Sequence, residues 1–378
     1  MFRTRFPTAH HFTASLFGCQ YHRPSPDESR LALIEAFDRL VKDGAVYVEE
    51  LEQTDLPSKV WVGHWKSPQD FKAWAMYESN GKSPHGFGHC GELTTLTEKT
   101  GYWGAYRSRM TQDSPDDNFS SPLSAVPEPK PLSNEIRTGR TRITKFPDNI
   151  CFVVEGQDYG AMPTPERAYW DENFDGLTKQ WVTNVMTAGA AKGLASGRAC
   201  HAFAGGKRLG ASSNGDAGIT TALIPETTNG NTGTPTTNNG HGDSEGTVTA
   251  NGGFDVSSWS SSLFPGLDYI RQAQLLFWLD LSYMEHIGRY GKVHIQLRRD
   301  FLAAYGPGGA MHGGELLLWV DLGVLKSDEM DAEYVGCYEG TGFLAYDHNA
   351  AFESRRDAES AALPAFFDQP RESKPMEC

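Results

Sequence analysis

The sequence predicts an α+β fold: two ferredoxin-like repeats forming a dimeric α+β barrel-type core with outer helices. Two observations predict it. A segment recurs, as VWVGHWKSPQDFKAWAMY from Val60 and as LLFWLDLSYMEHIGRYG from Leu275. Each copy opens on a run of Trp, Val, Leu or Phe suited to a buried strand. Each then enters a capping box, Ser67-Pro-Gln-Asp70 and Ser282-Tyr-Met-Glu285, in which a Ser and an acid three residues later satisfy the unpaired N–H groups of a helix start. The helices that follow place Phe71 and Trp74, or Ile287 and Tyr290, at helical spacing. A strand leading into a capped helix, met twice, is the unit from which such repeats are built.

The remaining elements follow in order. Asp27 to Val48 reads as helix then strand, with Leu31, Leu33, Ile34, Phe37, Leu40 and Val41 on one stripe and Gly44 as the stop. Asn149 to Val154 reads as a strand, Pro165 to Leu194 as one long amphipathic helix carrying Trp170, Phe174, Leu177 and Trp181. GKVHIQLRRDFLAAYGPGG reads as a helix with Val293, Leu297, Phe301 and Tyr305 at four-residue intervals, ended by Gly306-Pro307. Leu316 to Leu325 reads as a strand. The domain organisation is a first repeat over 1–112, a Pro- and Ser-rich connector over 113–135, a second repeat over 136–362 and a flexible tail over 363–378. Within the second repeat, 205–262 is a Gly/Thr/Asn-rich insertion too poor in apolar residues to offset ordering entropy, and reads as disordered; a lid or binding loop is the alternative.

Composition narrows the function. The net charge is −14 and no Lys/Arg run could track phosphates, so nucleic acid is excluded as a partner. No apolar run spans a bilayer and the N-terminus has no signal-peptide core, so no membrane partner is expected. The six cysteines show no CxxC pair and no framework spacing, which fits a reducing, cytoplasmic location. Hydrolase, nucleotide-binding and zinc-helix signatures are absent.

Three segments could carry chemistry. His294 neighbours the apolar face of its helix: it is either a satisfied core residue or an axial ligand projecting a neutral imidazole into an apolar pocket. In GYWGAYRSRM, Arg107 and Arg109 fall on one face of an extended segment. They are either a donor pair for a polar ligand or a solvated strand edge. In DNICFVVEGQDY, alternation places Cys151, Val153 and Glu155 on one face. Glu155 is either the solvent end of a strand or, if desolvated, a general acid. His85, His89 and Cys90 have loose metal-like spacing without a second cluster, and His312 lies on a glycine-rich loop.

Taken in order, FGCQYH, VGHWKSPQDFKAW, GYWGAYRSR, DNICFVVEGQDY, KVHIQL, LLLWVDL and YVGCYEGTGFL resemble the bacterial and fungal aldoxime dehydratases, which bind haem b. The resemblance covers most of the chain outside 205–262. It implies a haem-dependent lyase that converts an aldoxime to a nitrile and water, acting on a small-molecule substrate as a homodimer. It implies that His294 is the iron ligand and Arg109 the distal arginine. It also implies two departures: the family's distal serine falls on Glu155, and its distal catalytic histidine falls on Val320, before Asp321. A positioned general acid contributes on the order of 10²–10⁴-fold, so Glu155 is the candidate replacement, with His312 second. The alternatives are a haem enzyme acting on another N–O or N–N compound, and a protein without catalysis.

Overall fold

The Asp27–Gly44 pattern folds as its caps require. Asp27 accepts from the Arg30 N–H at 2.9 Å, and helix α1 (Glu28–Gly44) buries Ile34, Phe37 and Val41. The computed structural model describes residues 12–21, 26–53, 56–78, 91–93, 119–202, 267 and 269–357. Around α1 lie β1 (Phe12–Gln20), β2 (Tyr47–Gln53), β3 (Ser58–Trp65), α2 (Pro68–Glu78) and β4 (Gly91–Leu93). There follow β5 (Arg140–Ile143), β6 (Ile150–Asp158), α3 (Thr164–Asn173), α4 (Asp175–Met186), β7 (Leu194–Ala202), β8 (Arg271–Trp278), α5 (Leu281–Tyr290), α6 (Lys292–Tyr305), β9 (Leu317–Leu325), β10 (Ala332–Val335) and β11 (Ser354–Asp357).

The larger sheet has eight strands in the order β4-β1-β3-β2-β7-β8-β6-β9, every neighbouring pair antiparallel. Its two edge strands, β4 and β9, approach each other, so the sheet curls. The two recurring segments occupy matching places, β3 with α2 and β8 with α5.

Period-two alternation sends successive residues of each strand to opposite faces. The inner face is filled by the small sheet β10-β5-β11 and the segment between β10 and β11, which pack Ile143, Tyr334, Phe343 and Phe352 against Val60, Val62, Phe152 and Phe277. Phe152 and Phe277 stack at 4.7 Å, and Phe277 meets Phe343 at 5.1 Å. The curled sheet is therefore a packed core and not a ligand chamber. Outside, α1 and α2 cover β1, β2 and β3 through Phe37, Trp61, Trp65 and Phe71. The helices α3 to α6 cover the second four through Trp170, Trp181, Met284 and their neighbours.

One inner position tests this packing. Gly156 pairs with Trp319 on β9, and a Cβ at 156 would meet the indole at 2.0 Å. That indole in turn lies 4.6 Å under the Arg271 guanidinium. Gly156→Ala should destabilise the protein by about 1–3 kcal/mol, the usual cost of overpacking, read from a urea melt.

Two sequence expectations are corrected. The segment from Pro165 to Leu194 is not one helix. It breaks at Phe174 (φ −128°, ψ −30°), which ends α3 and begins α4. Phe174 is buried against Trp170 and beside Phe301, and placing that ring takes its backbone out of the helix. The chain also turns to a strand at Leu194 itself. The capping box at Ser67 forms, with the Asp70 N–H donating to Ser67 Oγ at 3.1 Å. The one at Ser282 does not cap its helix. Asp280 does, accepting from the Tyr283 N–H at 3.0 Å and the Ser121 N–H at 2.9 Å. A carboxylate two residues earlier satisfies two donors where the Ser hydroxyl would satisfy one. Cys19, Cys151, Cys200 and Cys337 are buried thiols. The expectations for Arg107, Arg109, His85, His89, Cys90, the whole of 205–262 and the tail over 363–378 lie outside the described residues.

Candidate active site

The site is built where α6 begins. Only Gly291 separates α5 from α6, so the last turn of one abuts the first turn of the other. His294 Nδ1 then lies 2.5 Å from the Gly288 carbonyl oxygen. With Nδ1–H donating there, the imidazole keeps its lone pair on Nε2, the tautomer a metal ligand needs. Its ring faces the Trp181 indole at 4.4 Å between centroids. Burial foremost, with the Arg298 guanidinium beside it, holds His294 below the usual imidazole range, against the pull of the Gly288 carbonyl. The ring is therefore neutral at pH 7.

Glu155 stands on the outer, helix-facing side of β6. Burial pushes its carboxyl up to about 7, eased by the Trp181 N–H, which donates to it. Such a group holds its proton near neutrality, unlike an ordinary glutamate. Trp181 thus touches both candidates, its N–H on Glu155 and its face on His294. Any planar ligand entering between them has to turn the indole aside.

Glu155 and His294 line one cleft. Trp181, Val185, Leu276, Trp278, Met284 and Ile287 make its walls apolar, and Arg289, Arg298 and the Glu285 carboxylate make its polar side. The Trp278 N–H is buried without a hydrogen-bond partner. Among the described residues no three ligating side chains converge, so a metal here would come with most of its own ligands. An iron porphyrin meets that description: one neutral imidazole for the iron, an apolar wall for the ring and guanidinium groups for its carboxylates. The residues present fit that group.

Val320 lies directly opposite Glu155 across the β6–β9 pair. His312 sits on an exposed turn beyond α6, where its N–H donates to the Gly309 carbonyl at 3.1 Å, and it is not part of the cleft. The structure therefore brings two of the sequence candidates together, His294 and Glu155. Trp181 was legible only as one more residue on a helix stripe. Its double contact depends on the packing of α4 against β6 and α6.

A family model described as haem-containing dehydratase matches residues 15–79 and 75–343. The chain belongs to this family. A phenylacetaldoxime dehydratase of Bacillus sp. (strain OxB-1) is 24% identical over 324 residues, covering 76% of this chain and 73% of the relative. A solved aldoxime dehydratase superimposes with a TM-score of 0.55 at 15% identity, covering 88% of this chain and 87% of the other. A second, crystallised with butyraldoxime, gives 0.54 at 15% identity, covering 90% and 87%. The curled antiparallel sheet with helices outside is the fold shared with these dehydratases. Membership makes haem the expected cofactor of the chain. Among the described residues no helix is long and apolar enough to cross a membrane.

Proposed function

We propose that this haem-containing dehydratase is an aldoxime dehydratase, a lyase converting R–CH=N–OH to R–C≡N and water, with His294 as ligand to haem b and Glu155 as proton donor. One observation carries the reading: a neutral imidazole and a carboxyl protonated near pH 7 face the same cleft. Bound haem would supply an iron centre that accepts the oxime nitrogen and lends it electron density.

The chain's own residues do the rest. The Gly288 carbonyl orients the His294 ring. Apolar walls exclude water from the oxime. Arg289 and Arg298 would hold the porphyrin carboxylates. Glu155 gives its proton to the oxime oxygen as the N–O bond breaks, so that water leaves instead of hydroxide. The resulting carboxylate then accepts the proton from the aldehyde carbon as the C≡N bond completes. Glu155 ends as it began, and no electrons are gained or lost overall. The exchange of the family's histidine for Val320 supports this role, because the adjacent strand presents Glu155 beside that position. Arg109 completes the proposal as the residue orienting the hydroxyl.

The finer architecture belongs to the same proposal. The order β4-β1-β3-β2 is repeated as β9-β6-β8-β7. This supports two ferredoxin-like repeats, spanning 1–112 and 136–362, as the barrel-type unit of a cytoplasmic homodimer that makes nitriles. The test is expression with haem supply, a Soret band, and gas chromatography of butyronitrile formed from butyraldoxime under reducing conditions. Protein with a Soret band that turns over hydroxylamines or hydrazines but no aldoxime would move the reading to another N–O or N–N substrate.

A further inference from the structure

Gln274 lies near the middle of β8, 4% exposed, and its amide nitrogen has no hydrogen-bond partner. A buried donor is costly to leave unmet, and native structures rarely do so without a reason. The register shows the reason. Gln274 stands opposite Glu155 on β6 and opposite Ala199 on β7. Alternation along β8 gives it the same face as Leu276 and Trp278, two walls of the cleft. Directly opposed residues of antiparallel strands hold their Cβ atoms roughly 4.5–5.5 Å apart, so Gln274 is the immediate cross-strand neighbour of Glu155 on the helix-facing side of the sheet.

The unmet groups on the same side of the sheet include the Trp278 indole N–H and the hydroxyl of Thr178, one turn before Trp181 on α4, with Gln272 Oε1 farther along β8. None of these is explained by the protein's own packing. A ligand with a polar head entering beside Glu155 would explain them.

We propose that Gln274 is a substrate-binding residue whose terminal amide hydrogen-bonds the N–OH group of the aldoxime beside Glu155. The inference rests on the aldoxime reading of the cleft and deepens it. The amide is suited to a hydroxyl on nitrogen, because it can donate through Nε2 to the oxime oxygen and accept the oxime O–H through Oε1. Gln274 exchanges no proton. It holds the oxygen where the carboxyl of Glu155 can protonate it.

The test is Gln274→Leu, with Gln274→Met as the unbranched companion in case the first fails to fold. Replacing an unmet amide with a hydrocarbon should raise the melting temperature of the ligand-free protein by about 2–4 °C. Butyraldoxime binding, followed by titration calorimetry, should weaken about five- to tenfold. Haem uptake and the Soret maximum should stay unchanged. A residue serving only the fold behaves oppositely, so a lowered melting temperature with unchanged butyraldoxime affinity overturns the proposal. Wild-type protein that takes up haem but ignores butyraldoxime also overturns it. Wild-type protein with no Soret band sinks the haem reading instead, and the melting comparison still reads Gln274.

Discussion

His294→Ala should abolish the wild-type Soret band of protein expressed with haem supply and lower haem affinity by more than about 100-fold. Loss of groups that merely orient a metal ligand costs 10–100-fold, and removal of the ligand itself costs more. The expectation follows from how firmly the ring is held. Its Nδ1 is fixed on the Gly288 carbonyl and its face on Trp181, so Nε2 presents one lone pair in one direction. The alanine variant keeps the apolar walls and both guanidinium groups, so weak haem association through these can persist, with an altered spectrum. Added imidazole, which fits the space vacated, should restore part of the band. An unshifted Soret band in the variant would remove His294 as ligand.

Glu155→Gln should lower aldoxime turnover by on the order of 10²–10⁴-fold, the contribution of a positioned general acid, while haem binding is retained. Two pH signatures accompany it. Turnover by the wild-type chain requires the protonated carboxyl and should fall as pH rises through about 7, where Glu155 ionises. The second signature is in stability. Folding raises this carboxyl above its ordinary value of about 4.3, so the folded protein binds the proton more tightly than the unfolded chain. Stability due to this group is full below the ordinary value and declines as pH climbs to about 7. Wild type and Glu155→Gln should therefore have equal stability near pH 4. At pH 8 the variant should be the more stable, by up to about 3 kcal/mol. Chemical denaturation at the two pH values reads this directly, without haem or substrate. Unchanged turnover would eliminate Glu155 as donor, whatever the stability shows.

Much of this architecture was written in local patterns. The stripe and caps of α1 and the stop after α6 give clear boundaries because each is settled within a few residues. So are the apolar alternations of β6 and β9. What failed did so for tertiary reasons. Phe174 leaves the helix to place a ring against Trp170. Asp280 displaces Ser282 as cap because the distant Ser121 N–H also needs an acceptor. The small sheet β10-β5-β11 was not anticipated, since its strands are four residues each and join segments far apart in the chain. The pairing of His294 with Glu155 came from the family resemblance. Neither residue's own surroundings in sequence distinguish it from an ordinary core histidine or strand-end glutamate. Gln274, in the apolar run of β8, became visible only through its register with Glu155.

The division of labour between the two faces of β6 and β8 has a consequence for change over time. Phe152, Val154, Leu275 and Phe277 point into the packed interior, while their immediate neighbours Glu155, Leu276 and Trp278 shape the cleft. Chemistry and folding are thereby interleaved along the same strands yet drawn from alternate letters. Diversifying only the outward letters should yield libraries that keep their melting temperatures while their substrate range drifts.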